Sequence, residues 1–270
     1  MLTRLDSYDN PDVQVISSDI NNMKGLNNLL YRASAVFHCA GEINQDERMQ
    51  LTNVEGTRGL LKAVKESSVR YLCHISSAGV IGPTKDLIID ENTSCNPIGI
   101  YEKTKFDSEQ LVLNYNLGIN TIILRPTNVF DYTNPGFFIS IAINNNWKEK
   151  LKVFVSGKEC AHIVDVYNVA KAALFFMDNG NLNTDLYFVS SDDDEVNTVA
   201  DIYNYYMSIN GNKNINHHLH TYIPYILRNM SKGRSLYGES RFSSDKIKRS
   251  GFVFERAIND SLKIVSSKVV

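Results

Sequence analysis

Glycine is scarce in this chain and does not occur before Gly25. Only 15 of the 270 residues are glycine, and no closely spaced triplet of glycines occurs among them. Such triplets form turns in which the backbone approaches a phosphate group, and the helix that follows supplies partial positive charge. The sequence therefore excludes a glycine-rich phosphate-binding turn within these 270 residues.

Long apolar runs and an excess of one charge are also absent. The longest apolar candidate, at residues 137–143, falls far short of the ~18 residues that a membrane span needs. Lys and Arg number 28 against 30 Asp and Glu, so the net charge is −2 and there is no basic surplus to attract a polyanion. No secretory signal is visible at the N-terminus. These features predict a cytoplasmic globular protein, typical of an enzyme, that binds neither membranes nor nucleic acid.

The cysteines and histidines show no spacing of a metal or redox motif. The four cysteines, which we expect to be free thiols in a reducing cytosol, are Cys39, Cys73, Cys95 and Cys160. Strand alternation would place His218 and His220 on one face and His217 on the other, without a neighbouring carboxylate or cysteine. We therefore interpret this histidine segment as surface and predict no metal site.

Short β-branched runs alternate with amphipathic segments over the first two thirds of the chain, a pattern typical of a parallel α/β sheet. The strand candidates are residues 13–17, 35–39, 69–75, 121–124 and 185–189. The helix candidates are residues 22–32, 49–66, 101–116, 166–177 and 199–207. We expect Asp165 and Thr198 to cap the last two helices. In the second helix, Leu51, Leu61 and their apolar neighbours recur close to a 3.6-residue period, which predicts a buried face.

The regular alternation ends near Ser190, where the acidic run at residues 192–195 begins. The pattern predicts a doubly wound, Rossmann-like domain over residues 1–190 and a smaller α+β lobe over residues 191–270. We expect residues 131–160 to contribute to this second, substrate-binding lobe. The acidic run lacks the spaced ligands of a calcium loop, so we interpret it as a solvated loop.

Tyr101 and Lys105 form an acid–base candidate on one predicted helix. Residues four apart share a helix face, and an ammonium near a phenol favours the phenolate. The same spacing recurs at Tyr167 and Lys171, so spacing alone is not diagnostic.

Two serines that directly follow the third predicted strand support the interpretation of Tyr101 and Lys105 as an acid–base pair. Ser76 and Ser77 follow Ile75, and ligands of open α/β sheets bind at the carboxyl edge of the strands. A Ser hydroxyl, the Tyr101 hydroxyl and Lys105 could converge there on one substrate oxygen. The alternative is that both serines serve only the turn.

Seven ordered segments carry a resemblance to a known family. They are Ser18-Asp19-Ile20, Val36-Phe37-His38-Cys39-Ala40-Gly41, Asn53-Val54-Glu55-Gly56-Thr57, His74-Ile75-Ser76-Ser77-Ala78-Gly79-Val80-Ile81-Gly82, Arg125-Pro126-Thr127-Asn128-Val129-Phe130, His162-Ile163-Val164-Asp165-Val166 and Phe242-Ser243-Ser244-Asp245-Lys246. The chain resembles the extended short-chain dehydrogenase/reductases, the group of NAD-dependent epimerases and dehydratases. It departs from the family pattern at Ile81, where a tyrosine is usual, and at Asp131, where a glycine is usual.

The resemblance assigns a role to each matching residue. Tyr101 would be the acid–base, and Lys105 would bind the nicotinamide ribose and lower the pKa of Tyr101. Ser77, selected over Ser76 by its distance from the Val80-Ile81-Gly82 segment, would hydrogen-bond the reacting sugar oxygen. Asn128 would lie at the diphosphate of the substrate. The residues expected to line NAD or NADP, in addition to Tyr101 and Lys105, are Asp19, Ile20, Ala40, Gly41 and Asn53.

The function that the resemblance implies is hydride transfer on a nucleotide-activated sugar. The segment from Ser235 to Ile247 is similar to that of sugar 4-epimerases and 4-ketosugar reductases, which favours chemistry at position 4. A steroid-type or dihydroflavonol-type ketoreductase is the alternative enzyme. A non-catalytic remnant without cofactor is the alternative outside catalysis. The resemblance also allows a homodimer.

The family's opening strand, glycine-rich turn and helix, roughly 30 residues, have no counterpart here. The chain begins with Leu2-Thr3-Arg4, which resembles the end of the second strand. In the family's strand order the missing strand is central, and its loss would expose two sheet edges. We expect either a truncated form of an intact enzyme or a chain that has lost cofactor binding, and weak or no NAD binding in both cases. In-frame DNA upstream that encodes the turn would indicate truncation.

Overall fold

The computed structural model describes residues 12–180, 182–224, 226 and 238–269. Its strands are β1 Ala35–His38, β2 Tyr71–Ile75, β3 Ile88–Ile89, β4 Asn120–Pro126, β5 Asn128–Phe130, β6 Ile163–Asp165, β7 Thr184–Val189 and β8 Arg241–Phe242. Its helices include α1 Met23–Leu30, α2 Asp46–Met49, α3 Gly56–Lys65, α4 Ile100–Asn114, α5 Gly136–Asn144, α6 Trp147–Ser156, α7 Val166–Asn179, α8 Val199–Ile209, α9 Asp245–Arg249 and α10 Ile258–Val269. A π-helix at Gln50–Glu55 joins α2 to α3, and a 3₁₀-helix spans Ala78–Ile81. No described helix is both long and apolar enough to span a membrane.

A four-stranded sheet with the order β1-β2-β4-β7 forms the centre of the fold. The β1–β2 and β2–β4 pairs are parallel, so the predicted α/β class and its Rossmann-like sheet are confirmed. The predicted strand at residues 13–17 is wrong: in the described chain only Ile16 makes a β-bridge there. Alternating β-branched residues favour extended backbone, but a strand also needs a partner for a continuous ladder.

The chain divides into two compact units that interleave along the sequence. The first contains the chain up to Val80, Pro97–Leu124 and Ala173–Leu186, and the second contains Ile81–Asn96, Arg125–Ala172 and the chain from Tyr187 onward. The chain passes from the first unit into the second for the last time at Tyr187, close to the predicted boundary at residue 190. Residues 131–160 lie in the second unit. The assignment of one lobe to cofactor and the other to substrate stays a prediction.

In the first unit, helices pack on both sides of short buried strands. On one helix face, Leu26 and Leu30 of α1 meet Leu60 and Val64 of α3. On another, Leu61 of α3 packs with residues of β2, α4 and β4, namely Leu72, Val112 and Ile123. The predicted apolar face of α3 is therefore confirmed, except that Leu51 is 50% exposed.

Gly56, at the start of α3, permits a close approach between two elements. A Cβ at this position would lie 2.6 Å from Cγ2 of Ile20, a distance that real Cβ atoms essentially never show. The glycine thus lets the loop before α1 pack directly on the helix.

The second unit has its own core, built mainly from α5, α8 and α10. Two small parallel sheets, β3–β8 and β5–β6, belong to it. Thr198 caps α8 in a reciprocal capping box with Asp201, and Asp165 accepts a hydrogen bond from the N–H of Tyr167 at 2.7 Å. Both predicted helix caps are confirmed.

The interpretation of residues 192–195 as a solvated loop is wrong for two of its aspartates. Asp192 is 1% exposed and accepts a hydrogen bond from the N–H of Phe242 at 2.8 Å. Asp194 accepts one from the N–H of Ile258 at 2.9 Å. Carboxylates are strong acceptors for backbone N–H groups, so the run connects three segments of the unit.

We predict that Leu61→Ala lowers the free energy of unfolding by about 2–5 kcal/mol, because it removes a fully buried side chain from a packed core. Urea denaturation followed by circular dichroism measures the change. Leu51→Ala is the matched control and should cost less than about 0.5 kcal/mol, since its side chain is half exposed. Equal effects of the two substitutions would contradict this packing.

Candidate active site

Two neighbouring parallel strands end at one edge of the sheet in the first unit. His38 of β1 lies opposite His74 of β2, so the residues that follow each strand share this edge. Ala40 and Gly41 follow β1, and Ser76 and Ser77 follow β2. The predicted placement of hydroxyl groups at the carboxyl edge of the sheet is confirmed.

Lys105 joins helix α4 to the end of β2. Its side chain is buried, with the residue 5% exposed, and Nζ donates a hydrogen bond to the carbonyl oxygen of Ile75. Burial lowers the pKa of Lys105 to about 8, although Cys39 and Glu109 act in the opposite direction. A buried cation thus lies directly beneath the strand end that precedes Ser77.

Tyr101 lies one helical turn before Lys105, in the first turn of α4. Burial and the neighbouring Glu102 raise the pKa of Tyr101, and the hydrogen bond with the Ser77 side chain opposes the rise. The expectation of a lowered tyrosine pKa is therefore wrong for this structure. The physical reason is that burial disfavours the phenolate, while the Lys105 ammonium is directed at a backbone carbonyl.

The two serines point to different partners. Ser76 is buried, and its hydroxyl donates to Oε2 of Glu109 at 2.8 Å. Ser77 lies close enough to Tyr101 to influence its pKa, and its Oγ accepts a hydrogen bond from the N–H of Gly79 at 3.1 Å. The structure therefore brings Ser77 to Tyr101, whereas Ser76 anchors helix α4.

Asn53 occupies the π-helix and connects three segments. Its Oδ1 accepts from the N–H of Glu42 at 2.7 Å, and its Nδ2 donates to the Glu42 carbonyl and to Oγ1 of Thr104. Thr104 in turn donates to the carbonyl oxygen of Tyr101 at 3.0 Å. These contacts give Asn53 a positioning role, since both of its amide N–H groups are used within the protein.

Three other residues that are expected to line the cofactor, Asp19, Ile20 and Gly41, lie in the same unit. Asp19 is exposed and accepts hydrogen bonds from the backbone and side chain of Asn21, which lower the pKa of its carboxyl group. Ile20 is buried against Gly56. The Gly41 backbone approaches Asn53, since a Cβ on Gly41 would lie 3.5 Å from the Asn53 Oδ1.

A buried histidine pair behind the strand ends was missed by sequence reasoning. His38 contacts Oγ1 of Thr57 at 2.8 Å, and the His38 and His74 rings are 5.0 Å apart. Burial lowers the pKa of His38 to about 3, so the ring is neutral at physiological pH. Thr104 and Glu109 were missed as well. No local sequence signal marks such residues, because their partners lie dozens of positions away.

Asn128, the expected diphosphate contact, belongs to the second unit. It begins β5, and its Nδ2 donates to the carbonyl oxygen of Ala161 at 3.3 Å. The second Tyr-x-x-x-Lys pair also lies there. Tyr167 donates to Glu255 at 2.7 Å and Lys171 forms an ion pair with the same carboxylate at 3.1 Å, so this pair is part of a surface network.

A protein-family model described as the 3-beta hydroxysteroid dehydrogenase/isomerase family matches residues 3–207. The chain belongs to this family. It is a family of the NAD-dependent epimerase/dehydratase type, so the predicted membership in the extended short-chain dehydrogenase/reductases is confirmed.

Curated relatives include two substrate classes. The decarboxylating sterol-4-alpha-carboxylate 3-dehydrogenase of Mus musculus is 30% identical over 161 residues, which cover 56% of this chain and 44% of the relative. The Bos taurus protein of the same name is 31% identical over 172 residues, which cover 60% of this chain and 48% of the relative. A putative UDP-glucose 4-epimerase of Methanocaldococcus jannaschii is 28% identical over 180 residues, covering 61% and 59%. The chain spans about half the length of the curated relatives it matches.

Solved structures of similar fold include two epimerases and a protein named RMD. The UDP-glucose 4-epimerase of Thermotoga maritima with UDP-glucose superposes with a TM-score of 0.74 at 18% identity, covering 96% of this chain and 85% of that chain. The Bacillus cereus UDP-glucuronic acid 4-epimerase in complex with NAD superposes with a TM-score of 0.75 at 19% identity, covering 96% of this chain and 81% of that chain. RMD from Pseudomonas aeruginosa complexed with NADPH superposes with a TM-score of 0.72 at 21% identity, covering 94% of this chain and 89% of that chain. At these identities the likeness shows the fold alone.

We predict that Asn53→Ala lowers the free energy of unfolding by about 2–4 kcal/mol, because it removes three hydrogen bonds that the Asn53 side chain makes with buried groups of Glu42 and Thr104. Thermal and urea denaturation measure the loss. Asn114→Ala, which removes a single exposed hydrogen bond on α4, is the control and should change stability by about 0.5 kcal/mol or less. A similarly small effect at Asn53 would show that its side chain does not hold these segments together.

Proposed function

We propose that the chain carries the catalytic centre of an NAD(P)-dependent oxidoreductase that interconverts a secondary alcohol and a ketone. The observation that carries the proposal is the proximity of the Ser77 and Tyr101 side chains at the carboxyl edge of β2, in the same unit as the buried Lys105. Two hydroxyls next to a buried cation can hydrogen-bond the same substrate oxygen and move a proton to or from it.

The described residues fit the two ends of a nicotinamide dinucleotide. An ammonium has three N–H donors, and the Ile75 carbonyl takes one of those of Lys105, so two remain for the hydroxyls of a ribose. The exposed carboxylate of Asp19 is an acceptor suited to the adenosine end. For the diphosphate, the described part of the chain contains no glycine-rich turn. When bound, the nicotinamide supplies or accepts the hydride.

Tyr101 is proposed as the group that exchanges the proton. Its raised pKa keeps the phenol protonated at neutral pH, and a neutral phenol is the form that donates to a carbonyl oxygen. The ketone-to-alcohol direction therefore starts from the protonation state that this structure favours, and the reverse direction starts from the phenolate. Ser77 would hold the same oxygen, and Lys105 would fix the strand end and the ribose.

For the substrate we propose a hydroxysteroid or hydroxysterol. The matching family and the sterol-4-alpha-carboxylate 3-dehydrogenases at 30–31% identity support this class. The second candidate is a nucleotide-sugar 4-epimerase or 4-ketosugar reductase, supported by the relative from Methanocaldococcus jannaschii. Both candidates use the same acid–base residue.

We predict that Tyr101→Phe, made in a version of the protein to which the family's N-terminal glycine-rich segment is restored, reduces turnover at least ~10²-fold, because phenylalanine cannot exchange a proton with the substrate oxygen. Turnover is measured as NAD(P)H absorbance with a 3-hydroxysteroid, and as 4-epimerised or 4-reduced product with a UDP-hexose or UDP-4-ketohexose. Circular dichroism checks that the variant folds.

Tyr31→Phe is the matched control, since Tyr31 is 78% exposed, and it should leave turnover unchanged. Turnover of the nucleotide sugar alone would select the second candidate. Unchanged turnover in Tyr101→Phe would remove Tyr101 from the mechanism. Absence of turnover with every substrate would favour the non-catalytic alternative.

A further inference from the structure

Cys160, His162 and Asp192 form a compact cluster in the second unit. A sulfur, a ring nitrogen and a carboxylate oxygen from the three residues all lie within 4.8 Å of one another. Nδ1 of His162 lies 2.7 Å from Oδ2 of Asp192. Asp192 is 1% exposed and the His162 side chain is 12% exposed, so the histidine–aspartate pair is shielded from water. No residue of this cluster has a part in the proposed alcohol–ketone chemistry.

The imidazole of His162 is held in a fixed orientation. Oδ2 of Asp192 also accepts from the N–H of Phe242, and the Phe242 ring meets the imidazole edge-on at a centroid distance of 5.2 Å. The backbone of His162 is left-handed, with φ of +48°, a conformation that a non-glycine residue adopts at a cost and that often marks functional sites. The surroundings therefore stabilise one placement of this ring.

The cluster also has a defined charge state. Burial alone would lower the pKa of His162, but its hydrogen bonds with Asp192 and with Cys160 raise it to about 10. The ring is therefore an imidazolium at neutral pH, opposite the Asp192 carboxylate. A thiol next to an imidazolium loses its proton more readily, since the cation stabilises the thiolate.

Cys160 and His162 line a cavity of about 660 Å³. The wall is mostly apolar, with aromatic and aliphatic side chains from α5, α6 and the start of α8, among them Phe137, Leu151 and Val199. Besides His162, the charged groups that line it are Lys148, Lys152 and Glu159. The thiol is therefore accessible to a small molecule with an apolar body, and cations are available for one polar oxygen.

We propose that Cys160 is a nucleophilic cysteine, activated by the His162–Asp192 pair, and a site of covalent addition for α,β-unsaturated carbonyl compounds with an apolar body. The thiolate sulfur attacks the β-carbon and the C–S bond forms. The π electrons of the C=C bond move to the carbonyl oxygen as an enolate. A proton supplied from His162 or water then reaches the α-carbon and restores the carbonyl. No group leaves, and no external oxidant or reductant is consumed.

A zinc ion is the competing ligand for these three residues. Ligand atoms around a tetrahedral zinc lie roughly 3.3 Å apart, and a ring nitrogen that donates to a carboxylate cannot also bind a metal. The 2.7 Å contact of His162 with Asp192 therefore favours the hydrogen-bonded pair. Oδ1 of Asp192, buried without a hydrogen-bond partner, is the one feature that a cation would satisfy. The experiment below includes this outcome.

The test is alkylation of the full chain by N-ethylmaleimide, an α,β-unsaturated imide, at pH 6. Peptide mass spectrometry follows each cysteine separately, with exposed Cys39 and buried Cys73 as internal references. We expect Cys160 to react about 10-fold faster than Cys39 or more, because its sulfur lies beside the imidazolium of His162, whereas Cys39 has no such neighbour in the cluster.

His162→Asn is the decisive variant. Asparagine tolerates the left-handed backbone and retains an amide that can donate to Asp192, but it removes the imidazolium. The rate at Cys160 should fall about 10-fold or more. His217→Asn, on an exposed histidine, is the control and should leave the rate unchanged.

Three results would overturn the proposal. One is a Cys160 rate at or below that of Cys39 in the unsubstituted chain, a comparison that does not depend on whether any variant folds. Another is an unchanged rate in a His162→Asn variant with an unaltered circular dichroism spectrum. The third is alkylation that appears only after treatment with a chelator and is blocked by Zn²⁺, which would identify a metal site in place of a free thiolate.

Discussion

The buried ammonium of Lys105 is the interaction on which the candidate active site depends. Its hydrogen bond to the carbonyl of Ile75 ties helix α4 to the end of β2, where both elements belong to one compact unit. This tie places Tyr101, one turn earlier on the helix, beside Ser77, two residues past the strand. A buried cation is costly unless it is paired, and Glu109 supplies the opposite charge from the same helix.

A network of buried polar groups extends this tie to the rest of the edge. Ser76 donates to Glu109, Asn53 bridges Glu42 and Thr104, and Thr104 reaches the backbone of Tyr101. Such networks fix a geometry because each unsatisfied member would carry the full desolvation cost. Tyr101 is therefore held by a helix, and Ser77 follows two residues after a strand whose end is fixed by Lys105, which favours a rigid placement of both hydroxyls.

Sequence patterns predicted the parts of this fold that depend on local periodicity. The strands that end at His38 and Ile75, the helix that carries Tyr101 and Lys105, and the cap at Thr198 all follow from alternation, helical spacing and capping chemistry. The choice of Ser77 over Ser76 came from a family resemblance, and the structure gives the two serines different partners. The absence of a strand at residues 13–17 could not be predicted from the local sequence, because a β-ladder also depends on a partner strand elsewhere in the chain.

Contacts between distant residues escaped the sequence for a common physical reason. The burial of Asp192 and its approach to His162, 30 positions away, are set by packing, and an acidic run by itself resembles a solvated loop. The raised pKa of Tyr101 likewise depends on its burial, which the Tyr-x-x-x-Lys spacing does not report. The family resemblance therefore selected the candidate residues, whereas their protonation states required the three-dimensional surroundings.

The most direct test of this account is an NMR titration of the Lys105 side chain, with the lysines labelled at the ε position and Lys105→Arg used for assignment. The account predicts that Lys105 titrates near pH 8, because burial lowers its pKa below the reference value of about 10.4 for a lysine in a model peptide. Titration of Lys105 at that reference value would show that its ammonium is solvated. That result would contradict the buried tie between α4 and β2 on which the site depends.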